Sequence, residues 1–206
     1  MSMPSAEIAP SRRRLATRER LRAAAAPIFA QEGIAAASVD AVCAAAGFSR
    51  GAFYSNYSTK FDLALELLAE GQRAELHFWS ETARQAVDFE AALRLMEARF
   101  NRVAMRTGWG LMIVELQLEA ERDPAFGGRY RRYLETLYMQ SEVMVVTLCA
   151  AAGVPPPADV HRTTIAIRCF TMGLLLYSRG SAPVQHLDSP GAMMIAFMRT
   201  TMGLPG

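Results

Sequence analysis

Apolar residues recur along this chain at every third or fourth position, and stretches that alternate apolar with polar are nearly absent. The first spacing lines one face of a helix, whereas alternation would mark a strand. Alanine, the strongest helix former, outnumbers valine plus isoleucine by about two to one. The pattern therefore predicts an all-α chain. Residues 1–11, with Pro4 and Pro10, read as a flexible tail. A first helix runs from about Arg12 to Glu32, with Leu21, Ala25, Ile28 and Phe29 on one stripe and Gly33 as its stop. Pro27 lacks an N–H and crowds the preceding turn, so a kink is expected there. Ser38 can cap a short second helix, with Asp40 in its first turn and Gly47 at its end. Ser49 can cap a third, to about Asn56. Thr59 and Asp62 form a capping box for a fourth, Lys60 to about Arg84, striped by Phe61, Ala64, Leu65 and Leu68.

Further breaks fall near Val87–Phe89, at Thr107–Gly108, at Asp123–Pro124, at Gly153–Pro157 and across Gly180–Pro190. The last two helices then span about Ala158–Arg179 and Pro190–Thr201. This layout divides the chain into a helical head, residues 12–60, and a larger helical region, residues 61–206.

A net charge of +2 over 206 residues says little, but its distribution says more. Residues 1–60 carry eight basic and four acidic side chains, a net of +4, whereas the remainder is at −2. The head thus offers a surface for a polyanion. Cys43, Cys149 and Cys169 lack the spacing of a disulfide framework or zinc knuckle and read as buried free thiols of a reducing cytoplasm. His77, His161 and His186 are scattered, with only the weak pair His77 and Glu81, so no metal or cofactor is expected. No leader pattern opens the chain. The most apolar windows, Val143–Ala152 and Ile165–Tyr177, are too short for a membrane span or carry Arg168.

The segment Gly47-Phe-Ser-Arg-Gly51 fits G-x-S-x-G, the pattern of a hydrolase nucleophile elbow. Such an elbow needs a strand before its serine, yet residues 38–46 read as helix. Two short helices joined by a glycine-containing turn instead form a helix-turn-helix. Val42, Ala45, Phe48 and Phe53 would bury against Ile28 and Phe29, leaving Ser49, Arg50, Ser55 and Asn56 exposed to a major groove. Gly51 and Ala52 are small enough for close approach. Arginine pairs with guanine and asparagine with adenine, while Tyr54 and Lys60 can reach phosphates. With Ser38 at the preceding helix start, these residues make up the candidate DNA-facing set.

The run A-x-x-x-F-x-x-x-G at 25–33, S-V-D-A-V at 38–42 and G-F-S-R-G-A-F-Y-S-N-Y-S-T-K at 47–60 resembles the N-terminal domain of the tetracycline-repressor (TetR) family. V-E-L-Q-L-E-A-E-R-D-P at 114–124 is similar to a stretch found in many members. The resemblance implies an all-helical, ligand-responsive bacterial transcription regulator, homodimeric and not an enzyme. It also implies that Tyr54 and Lys60 touch the DNA backbone while Ser49 and Arg50 face the groove. Asn56 and Tyr57 depart from the histidine and phenylalanine usual at those positions, which leaves the operator open.

Binding two half-sites about 34–36 Å apart requires two heads, hence a dimer. Ile165, Cys169, Met172, Gly173 and Leu176 form one candidate dimer stripe, and Met194, Phe197 and Met198 the second. A small apolar or amphipathic effector would sit among adaptable apolar side chains of the middle helices. The candidates are Trp79, Phe100, Met105 and Trp109, followed by Met112, Leu116, Tyr133 and Met139. Two alternatives stand beside this reading: a DNA-binding regulator without an effector, and a helical enzyme, for which no catalytic constellation is evident.

Overall fold

The computed structural model describes residues 12–104, 108–177 and 189–205. Among them lie nine helices and no strand. They are α1 (Arg12–Glu32), α2 (Val39–Ala46), α3 (Arg50–Tyr54), α4 (Lys60–Gln85), α5 (Phe89–Ala104), α6 (Trp109–Arg122), α7 (Pro124–Ala151), α8 (Val160–Tyr177) and α9 (Pro190–Met202). The tail at residues 1–11, the break at Thr107, Met105, His186, and Arg179 with most of the Gly180–Pro190 segment lie outside the described residues.

The helix starts follow side-chain caps. Ser38, Ser49 and Ser189 each accept from the backbone N–H three residues on, at 3.0, 3.2 and 3.0 Å. Asp123 accepts from Ala125 N at 2.9 Å, with Pro124 in the first helical position. Each satisfies a donor that the helix start leaves orphaned. Thr59 and Asp62 form the reciprocal capping box of α4. Pro27 does not end α1, which runs unbroken through it.

Two apolar cores share two long helices. The first joins α1, α2 and Phe53 of α3 to the first half of α4 (Leu63 to Leu68), Met112 and Leu116 of α6, and Phe126 and Tyr130 of α7. The second joins the far half of α4 (Trp79, Ala83) to α5, the C-terminal half of α7, α8 and α9. Packing is therefore continuous across residue 60, and α4 and α7 are the beams that carry both cores. Ion pairs lock α1 to α4: Arg18 and Arg22 both hold Glu66, and Arg22 Nε reaches Glu70 at 3.0 Å. Burial alone would raise the Glu66 pKa, but hydrogen bonding to Arg18 and the nearby positive charges outweigh it and hold the carboxyl below its usual range. Cys43 and Cys149 are buried, but Cys169 is exposed, contrary to the expectation of three buried thiols. No helix among the described residues is long and apolar enough to cross a membrane.

Candidate DNA-binding surface and internal cavity

The α2–turn–α3 unit is built from short-range rules. Gly47 closes α2 at φ +70°, a conformation that L side chains rarely adopt, and its N–H donates to Ala44 O at 3.2 Å. Phe53 is fully buried and Val42 nearly so. Ala45 was expected inward but is exposed; its neighbour Ala46 is buried, a shift of one position around the short helix. Arg20 steadies the turn, donating to Ala46 O at 2.9 Å with its guanidinium over the Phe48 ring.

Ser38, Ser49, Arg50, Gly51 and Ser55 are exposed, and Tyr54 is half-exposed, its ring edge-on to Phe53 at 5.3 Å. A Cβ on Gly51 would meet only Ser49 Oγ at 3.7 Å, so nothing described in the protein requires glycine there. Arg50 is not idle: its Nη1 lies 3.0 and 2.9 Å from the carboxylate oxygens of Asp40 across the turn. Both side chains are exposed, and solvent screens such a pair, so a guanine could capture the guanidinium at little cost. From sequence alone Asp40 has only a helix-dipole role.

Asn56 departs from expectation. It is half-buried: its Nδ2 donates to Ala52 O at 2.8 Å, while its Oδ1 is buried without a partner. Ser55 Oγ donates to the same carbonyl at 2.9 Å. The two side chains compete with the helical ladder and stop α3 at Tyr54, two residues early. Asn56 thus closes the helix rather than presenting its amide to a base. Lys60 is also engaged: its Nζ donates to Ala35 O at 2.6 Å and Ala37 O at 2.9 Å, clipping the α1–α2 loop onto the start of α4. The third ammonium hydrogen and the charge remain for a phosphate.

A cavity of about 200 Å³ lies between α4, α5, α6, α7, α8 and α9. Trp79, Phe100 and Trp109 line it as expected. Met112 and Leu116 do not; both are buried in the first core, because α6 turns that face toward the head. Tyr133 packs against the first core too, where burial raises its phenol pKa. Met139 is exposed, on the face of α7 away from the core. The lining that the apolar pattern missed includes the polar side chains Ser141, Thr164, Arg168 and Thr171, with Glu75 and Arg99, and apolar ones such as Leu76, Val103 and Met144. Gly71 on α4 admits the Trp109 ring, since a Cβ there would overlap it.

The dimer candidates divide. Ile165 and Cys169 are exposed, and Met172, Gly173 and Leu176 half-buried, on one face of α8. Met194 and Met198 are buried and line the cavity, so they are not an outward stripe. Phe197 stacks on Phe170 at 4.3 Å. The outward face of α9 is instead Met193, Ala196 and Thr200.

Residues 21–67 match the family model described as bacterial regulatory proteins, tetR family. The N-terminal domain belongs to the TetR family. It is a DNA-binding domain of transcription regulators, and solved structures of the TetR fold extend the likeness in fold over 89–95% of this chain. A TetR transcription regulator from Haloarcula marismortui is 17% identical, with a TM-score of 0.64, covering 92% of this chain and 97% of that one. The Bacillus subtilis regulator FadR in complex with stearoyl-CoA is 14% identical with a TM-score of 0.64, covering 89% and 97%. RolR in complex with resorcinol is 15% identical with a TM-score of 0.64, covering 95% and 91%. No curated protein matches the sequence significantly.

Proposed function

We propose that this TetR-family chain is a homodimeric, cytoplasmic repressor that leaves its operator when a small molecule enters the cavity. The observation that carries the reading is the position of α6. Its first residue, Trp109, walls the cavity; six residues on, about 9 Å along the axis, Glu115 accepts from Ile34 N at 2.5 Å and Ala35 N at 2.9 Å in the α1–α2 loop. The fourth helix makes a second link. Its far half walls the cavity, while Asp62 in its first turn caps Thr59 and holds Arg129 of α7 at 2.6 Å. A ligand pressing on Trp79 or Trp109 therefore pushes elements bonded to the head.

The outward faces of α8 and α9 suit a four-helix bundle across a two-fold axis. A Cβ on Gly173 would meet nothing in its own protomer, which leaves room for a partner helix. In each head Ser49, Arg50, Gly51 and Ser55 form the groove face, and Ser38, Tyr54 and Lys60 the phosphate contacts. FadR and RolR, bound to stearoyl-CoA and resorcinol, lend support to an organic effector. The experiment is selection of genomic DNA by the purified protein, followed by footprinting and sedimentation of the complex. A dimer protecting two half-sites about one helical turn apart is expected. A monomer on a single site would refute the dimeric reading.

A further inference from the structure

The cavity wall is not uniform. Trp79, Phe100, Met194 and Met198 make one side apolar, whereas the inward face of α8 carries Thr164, Arg168 and Thr171 at i, i+4 and i+7. Three charged side chains line the space. Two of them neutralise each other: Arg99 donates to Glu75 through Nε at 2.9 Å and Nη2 at 2.8 Å. Arg168 has no carboxylate within ion-pair distance among the described residues. It meets Ser141 Oγ, 3.4 Å from Nη1, and the face of the Tyr138 ring at 5.9 Å. Ser141 gives its own proton to Leu137 O at 2.8 Å and so presents an acceptor, not a counter-charge. One turn before Arg168, the hydroxyl of Thr164 is buried with no hydrogen-bond partner.

A guanidinium without a counter-charge on the cavity wall and, one turn away, a buried hydroxyl without a partner are both costly to keep. Burial pulls the Arg168 pKa below its ordinary value, and the surrounding tyrosines Tyr133, Tyr138 and Tyr130 only partly restore it. Both groups become satisfied if a carboxylate occupies the space: the planar fork takes two oxygens, and the hydroxyl donates to one of them. We infer that the effector is a small amphipathic carboxylate, its head held by Arg168 and Thr164 and its tail lying among Trp79, Phe100 and Met194. This rests on the reading of the cavity as an effector site and narrows it to one chemical class. A volume of about 200 Å³, below the ~300–1,000 Å³ of drug-sized sites, favours a short acid.

The test is calorimetric titration of the full chain with 4-phenylbutyrate, octanoate and their matched alcohols, 4-phenylbutan-1-ol and octan-1-ol. At least one acid should bind ten-fold or more tightly than its alcohol. Arg168→Met should erase that preference while leaving the alcohols bound, and Thr164→Val should weaken the acid several-fold. Arg168→Met should also raise the melting temperature of the unliganded protein, which reports that the variant is folded. Alcohols that match or exceed their acids, binding of none of the four, or a preference that survives in Arg168→Met would overturn the inference. Tight alcohols with weak acids would leave the effector reading standing. Acids that bind through Arg168 yet never release DNA would remove the effector reading, and with it the inference that the acid is an effector, leaving only a carboxylate-binding cavity.

Discussion

The head and the cavity differ in how they meet their charged groups, whereas buried polar atoms without a partner occur in both, Asn56 Oδ1 and Tyr57 OH in the head and Thr164 Oγ1 beside the cavity. In the head, the serine caps, Asp40 with Arg50, Lys60 with two carbonyls, and Glu66 with Arg18 and Arg22 are all satisfied within the chain. Around the cavity, Arg168 lacks a counter-charge among the described residues and Thr164 lacks any partner. The head is organised to keep one shape and carry it to DNA. The cavity holds unmet bonding capacity, which an unliganded protein tolerates only at a cost in stability.

The largest expected effect breaks the head. Phe53→Ala empties a fully buried ring position and should cost about 3–5 kcal/mol in denaturant unfolding, with DNA binding lost. The cavity mutation Arg168→Met should move stability in the other direction. If both variants lost stability alike, the contrast between the regions would fail.

Next in size is the joint between them. Glu115→Ala removes two charge-assisted hydrogen bonds to the α1–α2 loop and should cost about 1.5–3 kcal/mol. It should also shrink the effect of any cavity ligand on DNA affinity, because α6 loses its polar link to the α1–α2 loop. Unchanged coupling in this variant would assign transmission to α4 alone.

The smallest effect sharpens the role of the serine in GFSRG. Ser49→Ala should weaken the recognition unit by about 1 kcal/mol through loss of the cap to Ala52 N. A fluorophosphonate should leave the wild type unlabelled; stoichiometric labelling at Ser49 would point to a nucleophile instead.

The same contrast explains what the sequence made legible. Caps, capping boxes and glycine stops act over three or four residues, so the starts of α2, α3, α4, α7 and α9 could be read directly. Failures in the head came from local competition: Ser55 and Asn56 turn back on Ala52 O and cut α3 short. The cavity was hard to read because six helices contribute to it, and a Met stripe has the same spacing whether it faces a core, a cavity or a partner. Met194 and Met198 were assigned outward on that spacing and face inward. From sequence Arg168 reads only as an obstacle to a membrane span, since nothing in its neighbourhood reveals that it lines a cavity.

The central claim is that cavity and DNA compete through one structure. Linkage demands that an effector which weakens DNA binding is itself weakened by DNA, by the same factor, typically about 5–150-fold. The direct measurement is titration of the tightest of the four acid and alcohol probes into the protein, alone and saturated with its selected DNA fragment. Weaker binding of the probe on DNA is expected, matched by an equal loss of DNA affinity when the probe is in excess. Equal probe affinities in both titrations would contradict it.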